Sequence, residues 1–356
     1  MPILDLNDSA QLRKYSDFVA NSPHGHMMQS PNWAKVKNNW NADYVYLEDD
    51  RGEITAALSI LSVSNDGETS FMYAPRGPVC ALDDPEVFQE LLREALPVVE
   101  QRRGFLLRID PFVPYSESLV SSLEQIDVPG AQTIVRSRLP QDRTDVDQTT
   151  WEHSFSNPRH NMIMEFNGRS YEDIFLELPS KHRNKLRKTY RDGLETKRFR
   201  AGDPGLAEAL DTFYELTKVM AARQGITHRP KEYFARLLEA FDDAVLYQTS
   251  DSEDVLSSSI LISYAGLAFY SYAASSNKNG KRNLNAPFQN CMEQVKDSIA
   301  AGLLRYDLGG LYVFDRSDGL YAFKSKITGA EGLHEFIGEL DLVFDDARYQ
   351  QWISVN

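Results

Sequence analysis

The chain has 356 residues, enough for two domains, with a globular composition of 42% hydrophobic, 11% aromatic and 25% charged residues. A net charge of −14 excludes broad coating of nucleic acid, which needs concentrated Lys and Arg. Cys80 and Cys291 are too few and too far apart for a disulfide framework or a metal site.

No run is long and apolar enough to cross a bilayer, and the opening MPILDLNDSAQLRKY has no basic-then-apolar signal pattern. A soluble, cytoplasmic protein without stable membrane insertion is expected. To about Ala20 the pattern predicts a strand and an amphipathic helix. Ser30 then offers an N-cap with Pro31 in the first turn, and Trp33 and Lys37 share a helix face four residues apart. Strands are predicted at Tyr44–Leu47, Ile54–Val63 and Phe71–Tyr73, separated by Asp- and Gly-bearing turns. Tyr73-Ala-Pro-Arg-Gly-Pro78 reads as an extended turn presenting Arg76. Glu86 to Arg102 reads as a helix kinked at Pro97, and Phe105 to Ile109 as a strand running into Asp110-Pro111.

After the polar stretch Gln141–Thr150 the chain is expected to change domain. A strand at Asn161–Phe166 and a short helix at Tyr171–Leu178 lead into a basic helix ending near Gly193. From Lys181 to Arg200 nine Lys/Arg face two acids, a segment at +7 in a chain that is otherwise −21. Such an island suits a polyanion held at a restricted place, although a charge run is more often a solvated helix face. Helices follow at Leu206–Gln224, from Thr227 with Pro230 in its first turn, and at Ala286–Ala301. Strands are predicted at Val245–Thr249, Leu256–Ser263 and Ala268–Ala274. Leu304 to Gly329 reads as a strand, the pair Gly309-Gly310, and a polar turn placing Phe323 beside Lys324. On spacing alone the favoured reading of that stretch is a structural turn with a solvated lysine. Phe336 to Val343 is expected to be a strand. Mixed strands and helices occurring twice point to two α/β lobes.

The chain lacks GxxxxGK[ST], GxSxG, HExxH and an intact acetyl-CoA pyrophosphate loop. What it does carry resembles the Fem family of peptidoglycan bridge aminoacyltransferases. The matching residues are Gln29…Trp33…Lys37, Tyr73–Pro78, Leu107-Arg-Ile-Asp-Pro111, the basic run from Lys181, Phe213-Tyr-Glu-Leu and Arg223-Gln-Gly-Ile. Tyr233-Phe, Ser275-Ser-Asn277, Tyr306-Asp-Leu-Gly-Gly310, Gly319-Leu-Tyr-Ala-Phe-Lys324 and Gly338-Glu339-Leu-Asp341 complete the set, in family order from Gln29 to Leu342.

The resemblance implies two tandem GNAT-like acyltransferase domains of mixed α/β build, residues 1–158 with 336–356 and residues 159–335. It implies transfer of an amino acid from aminoacyl-tRNA to the stem-peptide diamino acid of UDP-MurNAc-pentapeptide or lipid II, by a monomer needing no cofactor or metal. Lys324 is implied at the oxyanion and Phe323 at the tRNA terminus; Asp110 is a candidate base for the incoming amine, against the reading that Asp110-Pro111 simply fixes a turn. Lys37, Arg229, Tyr233 and Tyr272, with Tyr270 as a neighbour, are implied at the UDP-sugar-peptide. Lys181, Arg183, Lys185, Arg187 and Lys188 are the expected tRNA contacts. Two departures stand out: nothing between Gly225 and Val245 forms the family's coiled-coil arm, as in the FemX type, and Ile327-Thr-Gly329 replaces the usual Phe-Gly-Gly. A CoA-dependent N-acyltransferase on the same fold and a non-catalytic RNA-binding module are the competing readings.

Overall fold

The structure is a computed structural model describing residues 3–136, 157–276, 278 and 281–355; the polar stretch Gln141–Thr150 and Asn277 lie outside them. The chain divides into two compact units, Met1–His160 with Glu335–Asn356, and Asn161–His334.

The first unit opens with α1 (Ser9–Asn21), N-capped by Asp8, and α2 (Pro31–Val36), where Ser30 takes the N-cap position and Pro31 the first turn. β1 (Asn41–Glu48), β2 (Ile54–Ser64) and β3 (Ser70–Arg76) form an antiparallel meander. The helical stretch that follows breaks at Ala95 into α3 (Pro85–Glu94) and α4 (Leu96–Arg102), because Pro97 cannot continue the hydrogen-bond ladder. β4 (Gly104–Pro111) then runs parallel to β3, and α5 (Glu117–Leu123) and β5 (Gln132–Val135) follow. Alternation along β3 sends Met72 and Ala74 into a core with Phe88, Leu91 and Val98 of the helices, and Phe71 and Tyr73 to the other face.

The second unit begins at β6 (His160–Glu165), α6 (Tyr171–Glu177) and the basic α7 (Ser180–Arg191). β7 (Glu195–Phe199), α8 (Leu206–Gln224) and α9 (Lys231–Ala240) precede the antiparallel run β8 (Ala244–Ser250), β9 (Val255–Tyr264) and β10 (Leu267–Ser275). Between Gly225 and Val245 there is one ten-residue helix, α9, and no coiled-coil arm. α10 (Ala286–Ala300) lays Phe288, Cys291, Met292 and Val295 against one face of this sheet. Its buried Asn290 and Gln294 bond to Ser259, and Gln294 also accepts from the Tyr306 hydroxyl at 2.9 Å. β11 (Arg305–Leu311) follows, and then α11 (Gly319–Thr328).

That helix follows the polar turn, over residues for which the sequence reading expected no helix. Asp318 caps it, its carboxylate accepting from the Tyr321 N–H at 2.7 Å, and Tyr321, Lys324, Ile327 and Thr328 form its buried stripe.

β12 (Leu333–Glu335) ends the seven-stranded sheet, ordered β12-β6-β11-β10-β9-β8-β7. The chain then returns to the first unit with β13 (Leu340–Val343) and α12 (Asp346–Val355). The strand expected from Phe336 to Val343 is thus confined to its second half. β13 inserts between β4 and β5, antiparallel to both, giving the order β1-β2-β3-β4-β13-β5. Asp341 and Arg108, both almost fully buried, meet there through two 2.7 Å bonds, and the guanidinium lies 5.0 Å from the Trp352 ring of α12. Among the described residues no helix is long and apolar enough to cross a membrane.

Candidate active site

Each sheet contains a parallel pair beside antiparallel neighbours, and the two pairs behave differently. β3 and β4 stay in register to Arg76 and Pro111 at their ends. The register of β10 with β11 covers only Leu267–Phe269 against Arg305–Asp307, although both strands continue. Where parallel strands part, their backbone groups must find other partners.

In the second unit one such group, the Gly310 carbonyl, accepts from Lys324 Nζ at 2.7 Å. Gly309 makes this possible: its φ of +78° turns the strand end, and its N–H donates to Asp307 at 2.7 Å. Asp307 is itself buried, holding the Asn161 amide at 2.9 and 3.1 Å. Lys324 is only 5% exposed, and burial lowers its pKa to about 8 while Asp307, foremost among nearby groups, opposes the shift. Cys291 lies in the same region beside Tyr270 and Tyr306; burial pushes its thiol up to about 12, so it is no nucleophile at neutral pH. Phe323 is half-buried against the same core. Asp307 and Cys291 were missed as site groups in the sequence; the motif Tyr306-Asp-Leu-Gly-Gly310 was the available signal for Asp307.

Arg229, Tyr233 and Tyr272 come together although they lie far apart in the chain. The two tyrosine hydroxyls are 2.9 Å apart, and the Arg229 guanidinium lies 5.5 Å from the Tyr233 ring. Burial raises the pKa of both phenols, which stay neutral hydrogen-bonding groups. Tyr270 does not join them. Tyr270 pairs with Leu261 and Tyr272 with Ile260, so Ser271 is a bulged residue. Adjacent partners on β9 face opposite ways, so the bulge sends Tyr270 towards Tyr306 and Cys291 and Tyr272 towards Tyr233 and Phe234. Lys37 belongs to the first unit, at the C-terminal end of α2, with its ammonium 5.6 Å from the Trp33 ring.

Two expectations about the first unit need correction. Arg76 is not presented to solvent: it is 4% exposed, donates to the Pro158 carbonyl at 2.9 Å and lies against the Phe112 and Phe336 rings. Asp110 is 2% exposed and fully engaged, accepting from the Tyr73 hydroxyl, the Arg76 N–H and both the backbone and side-chain nitrogens of Asn157 at 2.6–3.1 Å. A carboxylate so occupied clamps the ends of β3 and β4; it has no lone pair directed at an incoming amine.

The basic segment is also less free than its count implied. Arg183 donates to the Leu176 and Leu178 carbonyls, Arg187 lies 5.1 Å from the Phe175 ring, and Lys188 pairs with Asp192. Arg198 is held by Glu293 and Asp297. Lys181 and Lys185 alone among the five expected tRNA contacts line a cavity, of about 840 Å³, that they share with α11.

Two α/β units, one with its parallel strands closed and one with them parted beside a buried lysine, define an acyltransferase of the acetyltransferase (GNAT) fold, whose domain profile matches residues 180–325. The chain belongs to the FemAB family, whose profile matches residues 11–248. It is 34% identical to a UDP-N-acetylmuramoylpentapeptide-lysine N(6)-alanyltransferase of Weissella viridescens, over 99% of this chain and 100% of that enzyme. A lipid II:glycine glycyltransferase of Staphylococcus aureus is 23% identical over 68% of this chain and 52% of its own length. A crystal structure of FemX has the same fold, with a TM-score of 0.79 at 21% identity over 99% of both chains.

Proposed function

We propose that the chain transfers an amino acid from aminoacyl-tRNA to the side-chain amine of the diamino acid in a peptidoglycan stem peptide, with UDP-MurNAc-pentapeptide as first acceptor and lipid II as second. The full-length similarity to an alanyltransferase that its name assigns to this soluble precursor carries the reading. The reaction is aminolysis of an ester. The acceptor nitrogen attacks the aminoacyl carbonyl, the new C–N bond forms as the C–O bond to the terminal ribose breaks, and the amine proton leaves with the ribose hydroxyl or to water. An activated ester supplies the driving force, so the proposed step calls for no metal, nucleotide hydrolysis or covalent enzyme intermediate.

Lys324 takes the developing oxyanion in this scheme. Its ammonium is fixed by the Gly310 carbonyl in a site shielded from water, where a positive charge acts more strongly than in solvent. Phe323 shapes the slot for the terminal adenosine. Arg229, Tyr233 and Tyr272 of the second unit bind the nucleotide-sugar-peptide, the cation suiting its diphosphate and the phenols its phosphate and peptide groups. The protein works as a cytoplasmic monomer.

The test uses purified protein, a set of labelled aminoacyl-tRNAs and UDP-MurNAc-pentapeptide, read by mass spectrometry. The expected product is the precursor heavier by one amino-acid residue. Acetyl transfer from acetyl-CoA in the absence of tRNA would replace this reading with a CoA-dependent one, and RNA binding without transfer from any charged tRNA would leave a binding module.

A further inference from the structure

Asp307 is the last residue of β11 in parallel register with β10, opposite Phe269, so its carboxylate marks the point where the two strands part. It is buried and held from two sides. The Asn161 amide of β6 donates to both its oxygens, at 2.9 and 3.1 Å, and the Gly309 N–H donates to one of them at 2.7 Å. The second bond, from two residues on, closes an aspartate turn inside the strand end. Gly309 completes the turn with a φ of +78°, and the next carbonyl, that of Gly310, meets Lys324 Nζ at 2.7 Å.

Asn161 shows that the charge on Asp307 matters to this arrangement. The Asn161 side-chain oxygen is buried and has no hydrogen-bond partner among the described residues. Reversing the amide would set that oxygen against the Asp307 carboxylate, so the anion fixes the amide as it stands and leaves one acceptor orphaned. On stability alone a neutral asparagine at 307 would serve better, since it would offer the orphan a donor. The charged and titratable groups that face Lys324 are Asp307 from β11, Cys291 from α10 and Asp318 at the cap of α11. Burial keeps the Cys291 thiol protonated, and Asp318 is partly exposed and committed to the Tyr321 N–H. Asp307 is the buried anion of the set.

We propose that Asp307 is a positioning residue for acyl transfer: through the Gly309–Gly310 turn it fixes where the Lys324 ammonium sits, and as its buried counter-charge it keeps that ammonium protonated while the ester is attacked. The inference rests on the aminoacyl-transfer reading and adds to it a residue that acts only through another. Asp307 takes no proton from the amine in this scheme. Its bonds to Asn161 and Gly309 persist through the step, and the amine proton leaves with the ribose hydroxyl or to water as before. The role divides in two: the turn needs an oxygen at position 307, and the counter-charge needs a carboxylate there. Substitution can separate them.

The test compares Asp307→Asn with wild type from about pH 6 to about pH 9, in the transfer assay and in urea denaturation. The variant keeps an oxygen for the Gly309 N–H and gains an N–H for the Asn161 oxygen, so its Tm should stay within a few degrees of wild type. Ionisation of the acceptor amine cancels in the ratio of the two kcat values. With the alkaline limb starting at about 8 and moving down by about one pH unit, that ratio should fall about 5-fold at about pH 8 and hardly at all at about pH 6. The precursor KM should not change, and Glu215→Gln on α8, remote in the chain and paired with Lys218, serves as the control with a flat ratio. In denaturation, Asp307→Asn should cost more in wild type than in a Lys324→Met background at about pH 6. The two costs should converge by about pH 9, where the native lysine is neutral. This second readout needs no transfer. Asp307→Ser, which also keeps an oxygen for Gly309, replaces the amide variant if that one fails to fold. A kcat ratio independent of pH overturns the proposal and leaves Asp307 a structural clamp, and equal costs in both backgrounds at every pH overturn it as well. Coupling in denaturation without transfer from any aminoacyl-tRNA would uphold the pair while rejecting the proposed reaction.

Discussion

Burial holds the Lys324 ammonium close to its titration point, near pH 8, with Asp307 and the Gly310 carbonyl favouring the charged form. Activity and stability should therefore move in opposite directions. If the cation stabilises the oxyanion, kcat falls as pH rises through about 8. Between that value and the ordinary 10.5 the unfolded chain retains a proton that the native lysine has lost, so this group makes stability increase with pH across the window. Lys324→Met should lower kcat about 100- to 1,000-fold with little change in precursor binding. In urea denaturation the wild type should gain on that variant by about 1–3 kcal/mol between about pH 7 and about pH 10. Equal pH dependence of the two proteins would remove the buried charge from the account. Asp110 offers the opposite kind of test. Asp110→Asn should cost about 2–3 kcal/mol in stability, because it places an amide donor against N–H groups. A base would instead lose turnover at unchanged Tm.

Elements whose signals are local were legible in the sequence. β2 and β3 are bounded by Asp- and Gly-bearing turns, Pro97 breaks α3 from α4, and Gly225 stops α8 in a left-handed conformation. Two features of the candidate site were not. α11 was hidden because Gly309, Gly310 and Gly319 dominate its neighbourhood, while its helical stripe includes a lysine, a residue that hydrophobic periodicity passes over. The bulge at Ser271 cannot be read from β10 at all, since it exists only in the register against β9. The cap of α11 gives the element-level prediction. Asp318→Ala should cost about 1 kcal/mol and fray the turn ahead of Lys324, lowering kcat several-fold while leaving the precursor KM near normal. Asp318→Asn should recover both, and an unaltered kcat in the alanine variant would show that the helix start does not position the lysine.

At the scale of the molecule, two α/β units were legible from the repeated order of strands and helices, and the family motifs supplied the fold class. The charge count was a poorer guide: the +7 segment keeps most of its excess, but Arg198 is paired with Glu293 and Asp297 outside it and Lys188 with Asp192 inside it, pairings that a net charge does not reveal. Removing residues 336–356 should unfold the first unit, because it strips β13 from between β4 and β5 and leaves Arg108 buried without Asp341, a loss of about 3–5 kcal/mol for the charge alone. The second unit should keep its own cooperative transition in calorimetry, and survival of both transitions would refute this. The same strand sets a timetable for synthesis. A ribosome releases β1 before the second unit and β13 after it, so the lobe begun earlier waits with a gap in its sheet while the lobe encoded within it can already close. Nascent chains of this protein should therefore gain protease resistance in the second unit before the first, and the cell must shield an open β4 edge until β13 has emerged.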